Sequence, residues 1–459
     1  MKNHLSRRDC LRMGLGATLS SAAGLYTWTG MRRAMGATPT DYKALVCVLL
    51  NGGNNSFNWV VPTSNAAFAT YAKSRTNLAL AQNVLLPLLG TASDGNTYGF
   101  HPSCPELQSL FNQGSVAVVC NVGTLVQPTT AANAIAGAVP LPPQLFSHAD
   151  QQTEWMTAYP QTLDRYGWAG RIADLFTAQG STANLAFNIS VGGDNYWQDG
   201  KNTIPYTLGI NGAPTLAATN NNYFRRGLRV QTTNALISQG SSDPNPLVSQ
   251  YAGIETNAAS KVNMVNSALS SAGDLATVFP AAGINDWSLS QQLHEVARVI
   301  KASSQIGDSR QIFFVEIGGF DTHNGELASQ QQLLRYVSSY LSVFNTAMKE
   351  INMQNNVTTF TMSDFGRTLS SNANGSDHGW GSHQIAMGGA VSGGQYYGTM
   401  PSLVLGGADD FGGGRIVPTT SCDQFAATLA RWFGVSATQL PALFPNLSHF
   451  ASPWLGFLG

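Results

Sequence analysis

The segment between residues 311 and 383 concentrates carboxylate and imidazole side chains that could bind a metal ion. Carboxylate oxygens and neutral imidazole nitrogens are ligands of zinc-like dications, and an ion would offset the repulsion between clustered carboxylates. Each residue alone also fits a turn, a helix cap or a hydrogen-bonded surface side chain, so the prediction depends on all of them meeting. The candidate ligands are Asp321, His323, Asp364, Asp377 and His378.

Two further residues could act on a substrate beside such an ion. Arg367, three positions after Asp364, has a planar guanidinium that could hold phosphate or sulfate oxygens through paired hydrogen bonds. The alternative is an ion pair with Asp364 itself. Ser147, next to His148, is a candidate nucleophile, because a hydroxyl near a metal or a base is activated.

The elements around these residues follow the pattern of a parallel sheet. Residues 312–317 (IFFVEI) form an apolar run typical of a buried strand, and residues 357–362 are predicted as a second strand. Residues 326–348 between them have the spacing of an amphipathic helix. Residues 44–50 (ALVCVLL) suit another central strand. Polar turns follow all three runs, and the carboxyl ends of parallel strands share one edge of the sheet. We therefore expect the candidate residues to meet at that edge.

The amino-acid composition limits the classes of protein to which this chain can belong. With 459 residues and 43% hydrophobic residues, the chain can bury a large core. Charged residues make up only 11%, with 24 basic against 25 acidic, so no net field favours nucleic acid or an anionic membrane. We predict a single domain over residues 38–459, with a loop-rich insertion at about 188–285.

The first 37 residues have the features of a twin-arginine export signal. Arg7 and Arg8 precede a mildly apolar stretch, and small residues at 34–37 offer a cleavage site. The alternative is a chance arginine pair before a membrane anchor, but Thr and Ser residues interrupt the run of about 20 apolar residues that a spanning helix needs. We predict a periplasmic or secreted protein with no membrane span after signal removal.

Four cysteines remain after the signal, and none belongs to a CxxC pair. Cys47 and Cys120 lie in predicted strands and fit plain buried thiols. Cys104 and Cys120 could instead be bridged in an oxidising compartment. The remaining cysteine is Cys422.

The chain resembles the exported bacterial family called domain of unknown function 1501 (DUF1501), which is related to the alkaline phosphatase and sulfatase superfamily. The resemblance covers nearly the whole chain after the signal. It rests on LNGGNNSFNWVVP at 50–62, HPSCPELQSLFNQGSVAVVCNVG at 101–123, FSHADQQTEW at 146–155, GGFDTH at 318–323, SDFGRT at 363–368, DHG at 377–379 and FAATLARWFGV at 425–435.

This resemblance implies an α/β fold of the alkaline-phosphatase type, with three layers and a largely parallel central sheet flanked by helices. It implies that Ser147 takes the place of the nucleophile. Asp321 and His323 resemble a paired ligand motif, and Asp377 and His378 resemble the closing ligands. Asp364 resembles the Asp of an Asp-His pair.

The first-strand turn departs from the resemblance, because Asn51 stands where the superfamily has an Asp ligand and Asn55 stands where the family often shows Asp. A neutral amide is a poor ligand for a dication, so one divalent ion, with zinc as a candidate, is expected rather than two. The resulting hypothesis is an exported metal-dependent hydrolase of small or polymeric phosphate or sulfate esters. The alternative is a non-catalytic secreted binding or assembly factor with a protein partner.

Overall fold

The computed structural model describes residues 41–161, 165–178, 187–213 and 225–459. The predicted signal peptide lies outside these residues. The strands are β1 (Lys43–Leu50), β2 (Val60–Pro62), β3 (Leu86–Pro87), β4 (Tyr98–Phe100), β5 (Val116–Gly123), β6 (Asn188–Ser190), β7 (Tyr206–Thr207), β8 (Arg310–Ile317), β9 (Val357–Ser363), β10 (Ser382–Met387), β11 (Tyr396–Tyr397) and β12 (Thr420–Ser421).

The α-helices include the amphipathic helix that the spacing predicts at residues 326–348. They are α1 (Asn65–Arg75), α2 (Pro105–Asn112), α3 (Ala131–Ile135), α4 (His148–Thr157), α5 (Trp168–Ala178), α6 (Arg226–Ser241), α7 (Pro246–Ala272), α8 (Leu289–Lys301), α9 (Ser303–Ile306), α10 (Glu326–Glu350), α11 (Cys422–Phe433) and α12 (Leu440–Leu443).

A nine-stranded sheet forms the middle layer of the molecule. Its order is β11-β5-β10-β9-β1-β8-β6-β7, and β12 also pairs with β5. All these pairings are parallel except those of β10, which runs antiparallel to both β5 and β9. As the strand pattern predicts, β1 lies in the same sheet as β8 and β9, directly between them.

Alternate residues of β1 point into two separate cores, one on each face of the sheet. Val46 and Val48 pack on the side covered by α2, α8 and α10, whereas Leu45 and Cys47 pack on the side covered by α5 and α11. This period-two alternation with apolar residues on both faces is expected of a strand buried between two helix layers. The predicted three-layer α/β fold with a largely parallel sheet is confirmed.

Residues 188–285 contain more regular structure in their described part than the predicted loop-rich insertion. β6 and β7 extend the sheet, and α6 and α7 are helices of 16 and 27 residues. In α7, Val265 and Leu269 are buried, but Leu247, Tyr251 and Ile254 are exposed. With apolar residues on both its buried and exposed sides, the helix has little of the periodicity that sequence reasoning uses.

Cys47, Cys104, Cys120 and Cys422 are all buried free thiols, so the bridge considered between Cys104 and Cys120 is not formed. Within the described ranges, no helix has both the length and the apolar character needed to cross a membrane.

Candidate metal centre

The carboxyl ends of β1, β8 and β9 lie side by side at one edge of the sheet. Leu50, the last residue of β1, pairs with Ile317 of β8 and with Ser363 of β9. The turns after these three strands therefore leave the sheet at the same edge. Because β10 runs in the opposite direction, the loop before it, residues 377–381, reaches that edge too.

His148, Asp321 and His378 are the one group of three or more among the described residues that could bind a common ion. The Nε2 atoms of His148 and His378 are 3.1 Å apart. Asp321 Oδ1 lies 3.5 Å from the first of these nitrogens and 3.3 Å from the second. Ligand atoms at about 2.0–2.1 Å from a tetrahedral zinc ion are about 3.3 Å apart, so the three atoms match three corners of such a site.

His323 adds a third imidazole on the solvent side of this group. Its Nε2 lies 3.0 Å from Asp321 Oδ1 and 2.9 Å from His378 Nε2, and its side chain is 44% exposed. Its Nδ1 lies 3.2 Å from Asp377 Oδ1. Asp377 also accepts a hydrogen bond from Asn372, and this bond, with the neighbouring His323, lowers the pKa of the Asp377 carboxyl.

The two inner imidazoles are held by acceptors on their outer nitrogens. His148 Nδ1 lies 2.6 Å from Asp364 Oδ2, and His378 Nδ1 lies 2.7 Å from the carbonyl oxygen of Phe146. Because a carboxylate and a carbonyl only accept, both Nδ1 atoms must donate, which leaves the Nε2 lone pairs of the neutral rings aimed at Asp321 Oδ1. Acceptor atoms that converge in this way need a cation between them, either a proton or a metal ion.

Asp364, a predicted ligand, therefore contacts the outer nitrogen of His148 rather than the group of converging Nε2 and Oδ1 atoms. Its carboxylate is fully buried, and besides His148 it accepts a hydrogen bond from the backbone N–H of Gly52 at 3.1 Å. A carboxylate behind a histidine fixes the ring orientation and makes the ring a better metal ligand. The hydrogen bond to Asp364 raises the pKa of His148, whereas burial lowers the pKa of His378.

Arg367 contacts Asp321 rather than Asp364, so the ion pair considered in the sequence analysis is not the one formed. Its guanidinium is fully buried and lies 2.6 Å from Asp321 Oδ1. It also donates to the carbonyl of Gly52 at 3.3 Å and to both the hydroxyl and the carbonyl of Ser376. Burial raises the pKa of Asp321, but the hydrogen bond and charge of Arg367 outweigh it and leave that pKa below its ordinary value.

Ser147 is next to the cluster in sequence, but its hydroxyl has another partner. The Oγ atom donates to Asp150 Oδ2 at 2.5 Å. Ser147 directly precedes α4, whose first residue is His148. Among the contacts of the described residues, none joins the Ser147 hydroxyl to a ligand atom.

The glycines after β1 allow the turn to pack against the centre. Gly52 has φ 118°, and a Cβ atom there would lie 2.4 Å from the backbone nitrogen of Asp321. Gly53 has φ 84°, and a Cβ there would lie 2.5 Å from the ring of Phe365. The Phe365 ring packs in turn against His148 with ring centroids 4.7 Å apart. Larger residues at either position would displace the residues that carry or support the ligands.

The asparagines of this turn lie outside the cluster. Asn51 accepts a hydrogen bond from Gln152 at 2.9 Å and donates to Glu316 at 3.4 Å. Asn55 donates to the buried carboxylate of Glu326. Neither amide contributes to the ligand atoms, as expected from the absence of a carboxylate in this turn.

The donor set fits a borderline divalent ion. Imidazole nitrogens with one carboxylate are the ligands of zinc in many proteins, whereas magnesium and calcium prefer oxygen alone. His148, Asp321 and His378 would hold the ion, with His323 within reach of the same carboxylate oxygen.

Sequence reasoning included His323 and His378 but did not assign His148 as a ligand. Its signal was its position in FSHADQQTEW, one of the stretches that carries the family resemblance. Nothing local distinguishes it, because its partners Asp321, Asp364 and His378 come from much later in the chain.

Comparison with protein families gives a direct assignment. Residues 42–445 match the family described as "Protein of unknown function (DUF1501)", so the chain belongs to the DUF1501 family. No curated protein sequence matches the chain.

Solved structures that match this chain in a structural comparison include a sulfatase, a synthase and an ester hydrolase. PsFucS1 sulfatase from Pseudoalteromonas sp. is 10% identical, with 83% of this chain and 69% of that one covered, at a TM-score of 0.32. The lipoteichoic acid synthase LtaP from Listeria monocytogenes is 8% identical, with 86% and 73% covered, at 0.32. The phosphonate monoester hydrolase of Agrobacterium radiobacter is 10% identical, with 88% and 77% covered, at 0.32. At these values the similarity carries no argument about activity.

Proposed function

We propose that this protein is an exported, metal-dependent hydrolase of phosphate or sulfate esters. The observation that carries the proposal is the set of imidazole Nε2 atoms that converge on Asp321 Oδ1 while their Nδ1 atoms donate to fixed acceptors. The neutral imidazoles present lone pairs to the carboxylate oxygen, as in a metal ligand set, and Arg367 is the charged donor that also contacts this oxygen. The predicted export signal adds the location outside the cytoplasm.

A bound dication would polarise an ester oxygen and lower the pKa of a hydroxyl or water beside it. The residues of the chain position that chemistry. Asp364 and the Phe146 carbonyl hold His148 and His378 in the orientation that presents Nε2. The buried guanidinium of Arg367 holds the carboxylate of Asp321 by an ion pair.

Ser147 is the proposed nucleophile of the reaction. Its hydroxyl proton already has an acceptor in Asp150 Oδ2, 2.5 Å away, and a nucleophilic hydroxyl needs such a base. Its place immediately before His148 puts it at the start of the helix that carries one of the ligands. A water molecule is the alternative nucleophile, and the two differ in the effect of Ser147→Ala.

Arg367 takes a different role from the one that its position in the sequence suggests. Its guanidinium is buried and engaged by Asp321, Gly52 and Ser376, so it acts here as a positioning residue for Asp321. This same observation favours the second candidate function, a non-catalytic secreted protein that binds one ion. In that case the centre would organise a binding surface without turning over an ester.

Metal analysis and an ester screen test the proposal together. The exported, folded protein would be analysed for metal by mass spectrometry and assayed against phosphate and sulfate monoesters and diesters. We expect about one ion per chain and turnover that is lost in His378→Ala. Turnover should also fall sharply in Ser147→Ala if the hydroxyl attacks, and should persist if water does.

His449→Ala is the matched control for His378→Ala. His449 Nδ1 also contacts a backbone carbonyl, that of Val126, at 2.8 Å, but His449 lies outside the cluster. Metal content and turnover should be unchanged in this variant. Bound metal without turnover on any ester would favour the binding protein, and absence of metal from the exported protein would overturn the hydrolase.

A further inference from the structure

A groove of about 270 Å³ lies next to the loop that carries Asp321 and His323. We call it the Trp287 groove. It is lined by Trp287, Tyr336, Asn285, Gln332, Ser329 and the Gly318–Gly319 turn, with further apolar side chains. None of its lining residues is charged. It therefore combines aromatic faces with neutral amide and hydroxyl groups.

Trp287 is held in the groove by a backbone of unusual conformation. Asn285, Trp287 and Ser288 all have positive φ, at 59°, 50° and 57°. Such a conformation is uncommon outside glycine, and a run of three in four positions persists only where neighbouring contacts enforce it. The side chain of Trp287 remains 50% exposed.

Asp286 supplies the contacts that enforce this turn. It is buried, and its carboxylate accepts hydrogen bonds from the backbone of Gly283 at 2.6 Å and Ser288 at 2.9 Å, and from the hydroxyl of Tyr340 at 2.8 Å. The carbonyl of Trp287 accepts from Gln292 at 2.7 Å. The backbone that carries the half-exposed indole is thus fixed before any ligand arrives, which reduces the entropy cost of binding.

The other walls of the groove are also fixed. A Cβ atom on Gly318 would lie 2.2 Å from the Trp287 ring, so only glycine lets the indole pack this closely against the strand end. The ring of Tyr336 stacks on Tyr340 with centroids 5.5 Å apart, and its hydroxyl donates to the carbonyl of Ile284 at 3.1 Å.

The groove is close to the metal centre along the chain. Gly319 precedes Asp321 by two residues, and two residues span at most about 7 Å even when extended. A ligand of the size of one or two sugar rings in the groove would therefore reach the exposed side of the cluster, where His323 lies.

We propose that the Trp287 groove binds a neutral pyranose ring of the substrate, with the ring face on the indole and the hydroxyls on the amide and hydroxyl groups of the walls. A pyranose has apolar C–H faces and polar edges, which matches an aromatic face bordered by neutral polar groups. The absence of charge in the lining gives no attraction for an anionic group. The sulfate or phosphate group would instead be esterified to a neighbouring hydroxyl and would point towards the cluster. That placement rests on the proposed function, whereas sugar binding itself does not.

Saturation-transfer NMR on the full exported protein tests the sugar site directly. The probes are neutral trisaccharides of glucose, galactose and mannose. We expect saturation transfer to at least one of them, and an affinity at least tenfold lower in Trp287→Ala than in the parent protein. Trp287→Phe, which keeps an aromatic face, should lose less than Trp287→Ala.

Two control variants keep the result interpretable. Trp454→Ala removes a tryptophan that packs on Arg431, away from the groove, and should leave binding unchanged. His378→Ala should bind the sugar normally, so that sugar binding can hold even if the hydrolase proposal fails. Circular dichroism and thermal unfolding would confirm that each variant is folded.

The proposal is overturned if none of the three trisaccharides receives saturation, or if Trp287→Ala binds as the parent does. It is also overturned if p-cresol binds the groove and the sugars do not, since that result would assign the groove to an aromatic side chain of a protein partner.

Discussion

The carboxylate of Asp364 lies 2.6 Å from Nδ1 of His148, although 216 positions separate the two residues. Asp364 directly follows β9, and His148 begins α4, so the contact joins the end of this strand to a helix that packs beside it. The pair fixes which nitrogen of His148 faces Asp321.

Asp364→Asn should weaken metal binding by about 10–100-fold, because an amide holds the imidazole less firmly and makes it a poorer ligand. Competition with a fluorescent zinc chelator measures the change. Asp377→Asn alters the corresponding partner of His323, which is half-exposed, and should have a smaller effect. Equal affinity in Asp364→Asn and the parent would contradict the assigned role of Asp364.

Arg367→Lys should destabilise the folded protein by about 1–3 kcal/mol, because lysine cannot reach all the carbonyls and the carboxylate that the buried guanidinium satisfies. Urea unfolding measures the free energy. Arg431→Lys, at an exposed arginine, is the control and should change it by less than about 0.5 kcal/mol. A parent-like unfolding midpoint for Arg367→Lys would exclude this structural role.

Arg75 and Glu326 form an ion pair in which both side chains are fully buried, 2.8 Å apart. Arg75→Met should cost about 3–5 kcal/mol of unfolding free energy, because it leaves Glu326 as an unpaired buried charge. The double variant Arg75→Met/Glu326→Leu should lose less than the sum of the single losses. Strict additivity in urea unfolding would show that the two charges are not coupled.

Glu154 should make the protein less stable as pH rises. Its side chain is fully buried in α4, and burial raises the pKa of the carboxyl to about 9 from an ordinary 4.5. Between these two pKa values the carboxyl of Glu154 is ionised in the unfolded chain but protonated in the folded protein. Because the folded state binds more protons, the free energy of unfolding falls as pH increases. The slope from one such group is at most about 1.4 kcal/mol per pH unit.

Glu154→Gln should flatten this dependence. Burial also raises the pKa of Asp423, to about 7, so the contribution of Glu154 is separated most clearly between pH 7 and 9. Unfolding free energies at several pH values in that interval would be compared for the two proteins. Parallel curves for parent and Glu154→Gln would contradict the raised pKa.

Export can be tested by replacing Arg7 and Arg8 with lysine. Twin-arginine transport depends on the arginine pair, so we expect the precursor to remain in the cytoplasm. Cell fractionation and immunoblotting measure its location. Normal secretion of the double variant would refute the predicted route.

The sequence alone determined the main elements of the fold. The apolar runs of β1 and β8 predicted central strands, because a strand that is buried on both faces is apolar along its whole length. The parallel pattern also predicted one shared edge for the candidate residues, because strand-turn-helix-strand repeats give parallel strands whose carboxyl ends lie at the same edge. The helix α7 was not predicted, because its apolar residues lie on both its buried and its exposed sides.

Tertiary structure decided which of these residues meet at the centre. A ligand set depends on distances between atoms that the chain brings together from positions 148, 321 and 378, and local sequence contains no information on those distances. For the same reason Asp364 contacts His148 rather than Asp321 or His378, and Arg367 pairs with Asp321 rather than with its near neighbour. Residue type determined what chemistry is available, and packing of distant segments determined which atoms carry it.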